Sequence, residues 1–105
     1  MKLTDIMKQA QNLQRDMAAA QQSIEALRVT GESGAGLVRV QASGDMVVQR
    51  IEIDQAVMVE AKDVLEDLLA AAVNDALRKA KAASQEKMGS FTSGLNLPDD
   101  FKLPF

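Results

Sequence analysis

Eight apolar residues open the chain at alternating spacings of three and four: Leu3, Ile6, Ala10, Leu13, Met17, Ala20, Ile24 and Leu27. Such a seam, held for more than three heptads, predicts a helix over residues 1–28 that packs lengthwise on another helix. Thr4 or Asp5 is placed to cap its start by accepting an orphan amide hydrogen. At ~1.5 Å of rise per residue the helix is roughly 35 Å long, more than a compact domain of this size needs.

The period then changes from helical to two. Residues 37–42 and 46–53 alternate as strands, and a shorter strand is expected at 29–32, so that residues 29–54 form an antiparallel sheet. With Gly44 and Asp45 at the centre of a type II′ turn, Ser43 faces Met46, and Val38, Val40 and Ala42 share a face with Val47, Ile51 and Ile53. Gln49 is the one polar intruder on that face. The same register sets Arg39 directly across from Arg50, a like-charge conflict that the diagonal Glu52 relieves.

A second helix is expected over residues 61–88, with Asp63 and Glu66 as a capping pair and Gly89 as the residue that ends it. Its stripe of Leu65, Leu68, Leu69, Ala72, Val73, Ala76, Leu77 and Ala80 is broader than a surface helix requires, so its first half should be covered on more than one side. Past Ala80 the stripe fades and the helix is free to project. Pro98 and Pro104 bar helix from the tail at 89–105, yet Phe91, Leu95, Leu97, Phe101, Leu103 and Phe105 make it apolar. That pattern suggests an extended segment docked on a groove of the same assembly, or one that reaches for another protein.

Between the first helix and the sheet lie Gly31, Gly34 and Gly36, flanked by Val29, Leu37 and Val38. The spacing is no phosphate cradle, because it lacks the Lys-Ser/Thr pair and precedes a strand, whereas phosphate loops open a helix. It reads as a strand with a bulge, a tight turn or a close backbone approach. This segment resembles the signature of the YbaB/EbfC family of bacterial nucleoid-associated proteins. The likeness recurs in Leu65-Glu66-Asp67-Leu68, Ala70-Ala71-Ala72 and Asn74-Asp75-Ala76, and in the tail at Ser93-Gly94-Leu95-Asn96-Leu97-Pro98 and Phe101-Lys102-Leu103-Pro104-Phe105. It spans essentially the whole chain in the same order, with Gln55 standing where many relatives carry a proline.

The composition narrows the chemistry. The chain has 105 residues, 47% of them apolar, but only three Phe and no Tyr or Trp, so few aromatic platforms exist for stacking single-stranded bases. Without Cys or His there is no thiolate, imidazole ligand or ordinary near-neutral base, and no cofactor or metal is expected. The carboxylate pairs Glu52/Asp54, Glu66/Asp67 and Asp99/Asp100 have no partner group beside them, so an enzyme is not expected. Apolar runs are too short to cross a bilayer, and a soluble cytoplasmic protein without a membrane partner is the expectation.

The net charge of −3 argues against nucleic acid until its distribution is considered. Six carboxylates and a single lysine occupy residues 54–77, whereas residues 78–89 carry Arg78, Lys79, Lys81 and Lys87 against one carboxylate. Arg78 lies nearly three turns from the expected helix end, too far for dipole complementarity to explain it. On the first helix Lys8 and Arg15, seven apart, share the face opposite the apolar seam. These six cations are the candidate phosphate contacts, of the kind that hold a duplex without reading its sequence.

The expectation is an α+β chain of helix, three-stranded antiparallel sheet, long helix and extended tail, in one domain too small to bury much core alone and hence a two-fold homodimer. The resemblance implies that sheets and parts of the helices build the dimer body while the helices project as arms. It also implies binding of double-stranded DNA with little sequence preference, alteration of DNA conformation, a place in the nucleoid and a part in gene regulation. The competing reading is an interaction module that docks a recombination or replication accessory protein.

Overall fold

The computed structural model describes residues 2–94. The elements follow in the order α1 (Leu3–Ala26), β1 (Arg28–Ser33), β2 (Val38–Ser43), β3 (Val48–Ile53), a 3-10 turn (Gln55–Val59) and α2 (Lys62–Gly94). The three strands form an antiparallel sheet in the order β1-β2-β3. The whole is a rod of 70 × 23 × 16 Å, because α1 returns antiparallel along the far half of α2 rather than folding over the sheet.

The core sits where α2 crosses β1 and β2. Val38, Val40 and Ala42 are fully buried there against Ala72 and Ala76, with Val57 beneath and Val29, Leu65, Leu68, Leu69 and Val73 around them. Small residues on α2 let the backbones approach closely. A Cβ built on Gly31 would lie 2.6 Å from Ala72 O and from Ala76 Cα, and closer still to Ala76 N, so only glycine fits at that crossing. Gly44 plays the same part at the end of α1, where an added Cβ would lie 3.0 Å from Leu27 Cδ1 and nearer to Ile24 O.

Five sequence expectations are corrected. The β2-β3 turn has three residues, with Met46 at φ 67° and Ser43 N donating to Val47 O at 3.0 Å; a bulge then leaves Gln49 unpaired between Ala42↔Val48 and Gln41↔Arg50. Arg39 therefore faces Glu52, not Arg50, and the expected charge conflict is absent. Ile51 and Ile53 keep the face assigned to them, paired with Val40 and Val38, and Val48 rather than Val47 stands opposite Ala42. The intruding Gln49 is the residue the bulge sets aside.

The remaining corrections concern helix ends. Neither Thr4 nor Asp5 caps α1; Lys2 stands at its N-cap and makes no side-chain cap bond. Gly89 does not end α2, which runs on to Gly94. Glycine in a helix costs about 1 kcal/mol relative to alanine, and Phe91, two residues on, is half-buried in a groove with Ala19, Ala20 and Ser23 of α1, which offsets it. Between sheet and helix, Asp54 caps the 3-10 turn by accepting from Ala56 N at 2.9 Å. The docking expected of the tail from Leu95 onward lies outside the described residues.

Candidate nucleic-acid interface

Only the second half of the α1 seam is covered within the subunit. Ala20 and Ile24 are buried and Met17 and Leu27 half-buried, whereas Leu3, Ile6 and Leu13 are exposed, with Met7 beside them. The first half of α1 is thus an arm with an open apolar side and, on the opposite side, Lys8 and Arg15. Both cations are exposed, and Arg15 lies 3.8 Å from the neighbouring Asp16. So open a pair contributes little and leaves the guanidinium available to another anion.

The cations of α2 divide into two kinds. Arg78 and Lys79 share Asp75, which lies one turn before them: Arg78 Nη2 donates to Asp75 Oδ1, and Lys79 Nζ lies 3.0 Å from Oδ2. Asp75 is largely covered, and its Oδ2 also accepts from Glu32 N at 3.0 Å, while Lys79 Nζ donates to Thr30 O at 3.2 Å. The Glu32 amide, with help from Lys79 and Arg78, holds the Asp75 carboxyl below its usual pKa. This triad ties α2 to the outer edge of β1 and leaves one net positive charge out of three ionised groups. Lys81 and Lys87 are exposed and have no ion-pair partner among the described residues; neither has Lys8.

The six sequence-assigned cations do not form one patch. At 100° per residue, Arg78 and Lys81 fall on the side of α2 away from the sheet. Lys87 lines the groove between the helices, beside Asp16 and so one residue from Arg15, while Lys8 stands further out on the arm. They are spread along the rod on more than one side of it. Sequence reasoning missed Asp75: its i, i+3 and i, i+4 spacing to Arg78 and Lys79 permits the ion pairs, but the β1 amide that holds the carboxylate in place lies far along the chain. On the outer face of the sheet, where the sequence reading sets Arg39 against Arg50, Thr30, Gln41 and Arg50 form one cross-strand row and Glu32, Arg39 and Glu52 the next.

These features can be set beside known proteins. The family model of the YbaB/EbfC DNA-binding family matches residues 1–95, nearly the whole chain and all of the arms. The chain belongs to this family. Among solved structures it is similar to the crystal structure of uncharacterized protein HP0035 from Helicobacter pylori, with a TM-score of 0.69 over 92% of this chain and 99% of that one, at 18% sequence identity. That likeness shows the fold: two helices with a three-stranded antiparallel sheet. Membership supports nucleoid-associated DNA binding, and no helix among the described residues is long and apolar enough to cross a membrane.

Proposed function

We propose that this YbaB/EbfC protein binds double-stranded DNA as a homodimer with little sequence preference, through phosphate contacts along its helical arms, and so alters DNA conformation in the nucleoid and contributes to gene regulation. The observation that carries the reading is family membership over residues 1–95. The geometry supports it: exposed cations are spaced along a 70 Å rod, and contacts of that kind hold phosphates without reading bases. The work is mechanical and electrostatic, with no catalytic step.

Lys8, Arg15, Arg78, Lys79, Lys81 and Lys87 do not contribute equally. Asp75 already satisfies much of the charge of Arg78 and Lys79, so the steepest dependence belongs to Lys8, Lys81 and Lys87, with Arg15 close behind. Titrating an unrelated duplex at several salt concentrations tests this, because each phosphate that the protein no longer neutralises flattens the slope of log K against log salt by roughly 0.9. Lys8→Gln, Lys81→Gln and Lys87→Gln together remove three cations from each subunit and should flatten it by roughly 2.7 where one arm touches the duplex and by up to roughly 5.4 where both do. An unchanged slope removes these lysines from the interface, and no complex even at ~50 mM salt removes the DNA reading.

A second reading rests on the open seam of Leu3, Ile6, Met7 and Leu13. An amphipathic helix of a recombination or replication accessory protein is the partner such a seam accepts. It becomes the leading account if duplex binding fails at low salt.

A further inference from the structure

α2 stops short of the end of the arm it packs on. The groove between the helices sets Asp16 and Ala20 of α1 beside Lys87 and Phe91 of α2, so with the two antiparallel at ~1.5 Å per residue Gly94 stands about level with Leu13. Beyond that level α1 runs on alone for about ten residues. Its seam is open there: Leu3 is 72% exposed, Met7 55%, Ile6 48% and Leu13 41%. Four large apolar side chains along one side of a single helix make a patch that a folded chain rarely leaves to water.

The segment that follows α2 at this level is itself apolar. Residues 95–105, outside the described residues, read Leu-Asn-Leu-Pro-Asp-Asp-Phe-Lys-Leu-Pro-Phe. Leu95 and Leu97, and then Phe101, Leu103 and Phe105, recur at a spacing of two, which in an extended backbone turns them to one side. Between the two sets, Leu97-Pro98-Asp99-Asp100 has the composition of a turn, with proline at its second position. Fully extended, the segment spans up to about 36 Å, against roughly 15 Å of helix between Leu13 and Leu3, so it is long enough to lie along the seam even with that turn in it. Pro98 and Pro104 also remove two backbone donors that an apolar surface would leave unpaired. The charges agree. Asp99 and Asp100 against Lys102 make the segment net negative, while Lys2 and Lys8 against Asp5 make the open part of α1 net positive.

We infer that residues 95–105 dock in extended form on the open seam of α1 in the same subunit, with Phe101, Leu103 and Phe105 against Leu3, Ile6, Met7 and Leu13. The chain's own tail is favoured over a separate partner because its tether at Gly94 holds it at an effective concentration in the millimolar range. A helix from another protein has to displace it before binding. The inference does not rest on DNA binding: Lys8 and Arg15 lie on the side of α1 opposite the seam, so a docked tail leaves them open to phosphate.

The test uses the full chain, which has neither Trp nor Cys. In Phe101→Trp the lone indole should emit at shorter wavelength than in the same chain unfolded by denaturant, and acrylamide should quench it less. Ile6 and Met7 are exposed and take no part in the core, so adding Ile6→Gln and Met7→Gln should move the emission back to the red and restore quenching, with the far-ultraviolet circular dichroism unchanged. Under mild oxidation Ile6→Cys/Leu103→Cys should close an intrachain disulfide, seen as a faster-migrating monomer. Thr4→Cys/Leu103→Cys, with Thr4 on the other side of the helix, should close far less of it. An indole as open in the folded chain as in denaturant overturns the inference and leaves the seam free for the second reading above. Sheltering that survives Ile6→Gln and Met7→Gln, or equal cross-linking at Thr4 and Ile6, places the tail elsewhere and overturns it too. Cross-linking into dimers puts the tail on the arm of another copy and overturns the assignment to its own subunit.

Discussion

Gly31→Ala measures how much of this fold depends on one backbone crossing. The added methyl would lie 2.6 Å from Ala72 O and Ala76 Cα and closer to Ala76 N, all of them backbone atoms that no rotamer change can move. Ordinary contact begins near 3.4 Å, so β1 and α2 must separate by close to 1 Å, and the layer of Val38, Val40, Ala72 and Ala76 opens with them. Overpacking typically costs about 1–3 kcal/mol, and a backbone-on-backbone clash belongs at the upper end or above. Reduced freedom of the unfolded chain returns only about 0.4–1 kcal/mol. A net loss of about 2–3 kcal/mol corresponds to a fall in Tm of roughly 8–24 °C for a domain of this size. Thermal melting followed by far-ultraviolet circular dichroism, at fixed protein concentration because assembly shifts Tm, reads it directly. A Gly31→Ala protein that melts within about 2 °C of the wild type would refute the close approach and the core built on it.

Other substitutions carry the opposite sign. Gly89→Ala meets nothing within 4 Å in the middle of a helical segment, so it should stabilise by up to about 1 kcal/mol and raise Tm by several degrees; a lower Tm would mean that the helix does end there. Ala35 is exposed at φ 56°, a conformation that costs roughly 1–2 kcal/mol for a residue with a Cβ, so Ala35→Gly should gain about 0.5–1 kcal/mol after the entropy of the added glycine is deducted; denaturant titration with an unchanged m-value would show it. Asp75 has its pKa lowered in the folded chain from 3.8, so its stabilising contribution is complete above that value and disappears as pH falls through the lower folded one. The Tm difference between wild type and Asp75→Asn should therefore persist at neutral pH and close in strong acid, and a difference independent of pH would remove the charge from the account.

What the sequence determined by itself was everything governed by neighbours along the chain. The 3.5-residue seam of α1, the broad stripe of α2 and the period-two alternation of the strands follow from local geometry, and they placed two helices around a three-stranded sheet. The need for glycine at positions 31, 34 and 36 was legible too, since Gly34 and Gly36 have φ of 60° and 90° and Gly31 admits α2. The tertiary structure decided what depends on partners far along the chain. Hairpin register turned on Met46 accepting a left-handed conformation that its side chain disfavours, with a bulge at Gln49 that keeps Ile51 and Ile53 on the core face. Gly89 did not end α2, which runs past it to Gly94 with Phe91 in a groove on α1. Cations that looked alike in sequence were separated in the same way: Arg78 and Lys79 are committed to Asp75 because that carboxylate is held by an amide of β1, forty-three residues away. Lys8 and Lys81 stay open because no folded neighbour among the described residues meets them, and burial and long-range pairing are properties of the assembled chain, which no local pattern encodes.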